Sequence, residues 1–165
     1  MKEELLDKLN DATADDCIAM VQSCAGARAI AESITAMRPY VSWDTLVAAT
    51  HDAWQDEPED VVREAAATHP RIGATGATSA WSQEEQAGAQ NASARTRAAL
   101  QEANDAYFEK FGFSFIVCAT GKSADEMLAL VKQRLNNAPQ NEWKNTRDEL
   151  RKITLIRLQK LLQTP

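Results

Sequence analysis

His69-Pro70-Arg71-Ile72-Gly73, followed by Ser82-Gln83-Glu84-Glu85-Gln86, is the stretch whose residue types are best suited to chemistry. The chain has two histidines, so His69 is one of two side chains whose ordinary pKa lies near neutrality. Pro70 disfavours helical backbone at the residue before it, so the imidazole is expected in an extended segment rather than on a helix face. Ser82 is placed to open a new helix with Glu85 in its first turn. A base and an acid presented from adjoining element ends meet the requirement for proton transfer. The same residues also fit a plain loop histidine followed by an ordinary Ser-x-x-Glu capping box, and the spacing alone leaves both open.

A second chemical feature lies near the C-terminus. Arg157 falls in the stripe defined by Leu150, Ile153 and Leu161 at helical spacing, so its stem faces the apolar side. Either the head snorkels to water, or it is buried and needs an anionic partner such as a substrate carboxylate or Glu85. Arg71, in a Gly-rich loop, is read as solvated. Gly121-Lys122-Ser123 has the ending of a phosphate-binding loop, but position 116 is isoleucine where that motif demands glycine. Turn and N-cap are the better roles for Gly121 and Ser123. Trp43, Trp54, Trp81 and Trp143 are read as core or interface residues, and His51 as a satisfied structural histidine. Gln86 could bond a ligand or face water.

The elements that must position these groups are helical. Alanine, leucine, glutamate, glutamine and arginine abound, and β-branched residues rarely run together. Helices are expected over 2–9, from a Thr13 cap to Cys24, over 26–37, from a Ser42 cap through Trp54, and from Pro58 to Ala67. Residues 71–81 read as loop. One long helix is expected from Gln83 to Lys110, ended by Gly112 in the left-handed region. Ser123 with Glu126 caps a helix to about Asn136, and Pro139 precedes a last helix over 141–162. Phe113-Ser114-Phe115-Ile116-Val117-Cys118-Ala119 has strand composition but no β-rich partner. It is expected to be an irregular buried segment whose backbone groups need partners outside a sheet ladder. A bound polar ligand could be one of them. The fold class is all-α, a single-domain multi-helix bundle over 1–165.

At 165 residues the chain can bury roughly 70% of its unfolded surface. Its net charge of −6, with no basic block, argues against a nucleic-acid partner. No apolar run is long enough for a membrane span and no signal segment is evident. Cys17, Cys24 and Cys118 form neither a CxxC pair nor an even disulfide set, and no zinc-type cluster appears. The expectation is a cytoplasmic, reduced protein with no metal.

Four motifs in one order carry a family resemblance. They are His69-Pro70-Arg71-Ile72-Gly73, Ser82-x-x-Glu85-Gln86-x-Gly88, Phe111-Gly112-Phe113-x-Phe115-Ile116-Val117-Cys118 and Lys152-Ile153-x-x-Ile156-Arg157-Leu158. Together, over about Arg38 to Leu161, the chain resembles the 2-oxo-4-hydroxy-4-carboxy-5-ureidoimidazoline (OHCU) decarboxylases, in their bacterial form. The resemblance implies conversion of OHCU to (S)-allantoin at the end of urate degradation, an all-helical fold, no cofactor and a homodimer. It also implies a catalytic His69 with Glu85 as its partner carboxylate, and Arg157 as the substrate-binding arginine. Pro70, Ser82, Gln86 and the backbone of Phe115, Ile116, Val117, Cys118 and Ala119 match positions around the ligand. Glu84 adjoins Glu85, so that role is assigned by spacing from Ser82 and Gln86. The imidazole, carboxylate and guanidinium are then expected to share one cleft. A non-catalytic helical scaffold is the alternative from another class.

Overall fold

The computed structural model describes residues 2–72, 84–90 and 92–164, and these form helices and connecting segments with no strand among them. The helices are α1 (Lys2–Asn10), α2 (Ala14–Ala25), α3 (Arg28–Ala36), α4 (Trp43–Gln55), α5 (Glu59–Ala67), α6 (Ala87–Gln90), α7 (Ala94–Phe111), α8 (Ala124–Arg134) and α9 (Pro139–Gln163). The all-α expectation holds. The chain packs as two compact units, one of residues 1–65 and 150–165 and the other of residues 66–149. No linker marks the division; it falls within α5 and within α9.

Local chemistry sets most of the helix ends. Thr13 and Ser42 accept hydrogen bonds from Asp16 N and Thr45 N, and Ser42 and Thr45 close a reciprocal capping box. Gly26 and Gly112 take φ of 82° and 79° at the ends of α2 and α7, where a Cβ would be strained. Pro58 precedes the first residue of α5, its carbonyl accepting from Val62 N. Pro139 is itself the first residue of α9 rather than a separator, since its missing N–H costs nothing there.

The long helix expected from Gln83 to Lys110 is instead two, α6 and α7. Ser93 accepts from Thr96 N as an N-cap, and that side-chain bond replaces continuation of the helix through it.

In the first unit, Leu6, Leu9, Cys17, Val21, Ile30, Ile34, Leu46, Trp54, Leu150 and Leu158 are buried. Arg38 donates to Leu9 O at 2.6 Å and Ala12 O at 2.8 Å, tying α3 to the α1–α2 turn. Lys8 Nζ reaches Leu161 O and Thr164 O at 3.2 Å, placing positive charge on the carbonyl end of α9. Of the tryptophans, Trp54 is fully buried, Trp43 and Trp143 are half-buried, and Trp81 lies outside the described residues. His51 is solvent-exposed, which corrects its reading as a structural histidine; the face of α4 that carries it is not the one that packs.

The second unit is built on an aromatic cluster. Tyr107 meets Phe111, Phe113 and Phe115 at centroid separations of 4.5, 5.8 and 5.4 Å. Leu100, Met127 and Val131 complete this core from α7 and α8.

Candidate active site

His69 lies two residues past α5, with its backbone N–H donating to Ala66 O at 3.2 Å. The imidazole stands off the helix, as expected, but on a bend closing its last turn and not in an extended segment. The ring is half-buried, with Nδ1 3.3 Å from Thr68 Oγ1 and Nε2 turned inward from solvent. The residues just after it are clamped to α7. Asn104 Nδ2 donates to Ile72 O at 2.9 Å, and Arg71 pairs with Asp105 while its guanidinium lies 5.1 Å from the Phe108 ring centroid. Arg71 is thus a fastener and not simply solvated.

Glu85 is buried and Glu84 is exposed, so the spacing argument selects the carboxylate that faces inward. Gln86 donates from Nε2 to Pro70 O at 3.4 Å, which brings the Glu85-Gln86 turn against the His69-Pro70 segment. A Cβ built at Gly88 would sit 2.2 Å from the Lys122 carbonyl oxygen, so only glycine allows α6 to approach the turn before α8. Ser82 and Gly73 lie outside the described residues, as does most of the expected 71–81 loop.

The 113–119 segment is irregular and almost wholly buried, as expected. Its polar backbone is met by side chains. Arg134 Nη1 donates to Ile116 O, Cys118 N donates to Glu149 Oε1 at 3.3 Å, and Lys122 Nζ donates to Cys118 O at 2.8 Å. Gly121 turns the chain at φ 77°, and Ser123 caps α8 by accepting from Glu126 N at 3.1 Å. Burial pushes the Cys118 thiol above its usual range; Lys122 pulls it down, while Glu149 and, more weakly, Glu85 push it up. Cys118 is therefore held as a neutral thiol near two carboxylates.

The second unit thus collects His69, Pro70, Glu85, Gln86 and Phe115 to Ala119, linked by the Gln86–Pro70 bond, the Gly88–Lys122 approach and the field of Glu85 at Cys118. Arg157 belongs to the first unit, on α9, and is 7% exposed. Its head does not snorkel, so the reading of a buried cation requiring anionic company stands.

Sequence reasoning does not single out Arg134, Glu142, Tyr107 or Glu149. Arg134 is 8% exposed and binds Glu142 Oε1 through Nε, Thr146 Oγ1 through Nη2 at 3.1 Å and Tyr107 Oη through Nη2 at 3.4 Å. Glu142 is fully buried and also accepts from Tyr107 at 2.7 Å, Asn137 at 2.8 Å and Asn145 at 3.1 Å. A signal for Arg134 exists: it follows Met127 and Val131 at the i+7 and i+3 positions of one apolar stripe, the argument applied to Arg157.

Within the second unit a half-buried histidine, a buried carboxylate and an irregular backbone segment are held on a helical scaffold. A family model described as OHCU decarboxylase matches residues 10–159, and the chain belongs to that family. The matched region spans both units.

An OHCU decarboxylase of Amia calva is 31% identical over 82% of this chain and 81% of its own length. The uric acid degradation bifunctional protein TTL of Arabidopsis thaliana is 34% identical over 84% of this chain and 45% of its own length. The chain spans less than half the length of the bifunctional relatives it matches. A crystal structure of OHCU decarboxylase in the presence of (S)-allantoin superposes with a TM-score of 0.77 at 28% identity, covering 93% of this chain and all of that one. No described helix is long and apolar enough to cross a membrane.

Proposed function

We propose that the protein decarboxylates OHCU to (S)-allantoin without a cofactor, the last step of urate degradation. The burial of Glu85 beside the 115–119 segment, on a turn bonded to the His69-Pro70 segment, is the observation that carries this reading. Family membership over residues 10–159 supports it.

The substrate bears a hydroxyl and a carboxylate on one ring carbon, next to a C=N bond. The electron pair of the breaking C–CO₂ bond forms a C=C bond to the neighbouring carbon while the C=N pair moves onto nitrogen, which takes up a proton, leaving an enol. The neighbouring carbon is then protonated on one face, the hydroxyl gives up its proton to become the ring carbonyl, and (S)-allantoin results. The substrate is its own electron sink. What remains for the protein is to orient the carboxylate, stabilise developing charge and deliver one proton stereospecifically.

In this reading His69 is the proton shuttle, and Glu85 orients the imidazole and stabilises its cationic form. Arg157 supplies positive charge for the carboxylate or the ring. Backbone N–H groups near Val117 recognise a ring carbonyl or the ureido group, with Pro70, Ser82 and Gln86 around the ligand. The protein acts as a homodimer in the cytoplasm, where its three cysteines, none of them in a disulfide, remain reduced.

The test is circular dichroism on freshly generated substrate. Enantiopure dextrorotatory product, formed faster than spontaneous decay, is expected. A racemate at the background rate would mean a helical scaffold with no catalytic role.

A further inference from the structure

We infer that Arg134 is a positioning residue that aims the Val117 amide at the substrate. The inference rests on the decarboxylase reading, in which N–H groups near Val117 meet a carbonyl oxygen of the ring or ureido group.

The Ile116–Val117 bond is trans, so the Ile116 C=O and the Val117 N–H point in opposite directions across a rigid unit. Arg134 Nη1 holds the Ile116 oxygen. Fixing that oxygen fixes the Val117 N–H on the face turned away from Arg134. The guanidinium cannot follow a rotation of this plane. Its Nε is committed to Glu142, its Nη2 to Thr146 and Tyr107, and its Cζ lies 4.8 Å from the Phe115 ring centroid.

The next two peptides are held as well, Val117–Cys118 through Cys118 N on Glu149 Oε1 and Cys118–Ala119 through Cys118 O on Lys122 Nζ, so the segment cannot swing as a crankshaft. A cation on the carbonyl of an amide also polarises that amide, which makes its N–H a stronger donor. An irregular segment has no sheet ladder to set its peptide orientations. Here a buried charge pair sets them, giving a preorganised donor for a neutral carbonyl oxygen.

The experiment is a titration with (S)-allantoin followed by amide ¹H–¹⁵N shifts, together with steady-state kinetics. In the wild type the Val117 amide proton is expected to move downfield. The double variant Arg134→Met/Glu142→Leu removes both charges, a change buried ion pairs commonly tolerate. It is expected to lose the Val117 response, bind (S)-allantoin roughly tenfold more weakly and raise KM more than it lowers kcat. Tyr107→Phe, which alters the same network without touching Ile116, is expected to keep the Val117 response.

A folded double variant that retains the response and the affinity overturns the inference. So does a wild type that binds (S)-allantoin with no shift at Val117, a result independent of whether any variant folds. A wild type with neither turnover nor (S)-allantoin binding overturns the decarboxylase reading, and this inference falls with it.

Discussion

Gly88 and the Lys122 carbonyl approach so closely that a methyl group on Gly88 would lie 2.2 Å from that oxygen. The turn carrying Glu85 is thereby seated against the chain that runs from Cys118 into α8. Gly88→Ala is expected to destabilise the protein by about 1–3 kcal/mol, because backbone must give way rather than a flexible side chain. The loss in kcat should exceed that of a surface substitution such as Gln101→Ala. Denaturant midpoints and kcat measured side by side check this, and an unchanged midpoint would contradict the close packing.

His69→Ala is expected to lower kcat by about 10²–10⁴ while the melting temperature stays near that of the wild type. Glu85→Gln, which keeps shape but removes charge, should act in the same direction with a smaller effect. Near-normal turnover from folded His69→Ala protein would remove the imidazole from the mechanism.

Arg157→Met is expected to lower kcat/KM about 10–100-fold, the range for losing a hydrogen bond to a charged group. (S)-Allantoin lacks the substrate's carboxylate. If Arg157 serves that carboxylate, product binding measured by calorimetry should change little; an equal loss for both ligands would assign it to the ring.

The Glu142 carboxyl sits below the usual carboxylate range. Burial pushes it up, but hydrogen bonds from Asn137 and Tyr107, the Arg134 charge and a hydrogen bond from Asn145 outweigh that. A carboxyl lowered in the folded state contributes stability that is full above its ordinary value near 4.5 and is lost as pH falls through the folded value. Glu142→Ala is therefore expected to cost about 3–5 kcal/mol near neutrality, by leaving Arg134 buried without its counter-charge. The gap between variant and wild type should narrow as pH drops below 4.5. A gap independent of pH, followed by chemical denaturation, would show that the charge is not what Glu142 contributes.

Much of this protein is legible in its sequence, and the physical reason is range. Caps, left-handed glycines and proline restrictions act over three or four residues, so Thr13, Ser42, Ser123 and Gly112 mark helix ends that the structure keeps. Local signals can also compete. At Ser93 a cap prevails over apolar periodicity, and the expected long helix divides.

The types and order of residues determine an all-helical chain, one irregular apolar segment and the motifs that place it in its family. Tertiary structure alone decides which groups satisfy that segment, since Arg134 reaches Ile116 across 18 positions and Glu149 reaches Cys118 across 31. It also decides that Glu85 rather than Glu84 turns inward and that Gly88 meets Lys122. Pairings between distant positions depend on how helices pack, and local spacing marks which face packs but not what it packs against.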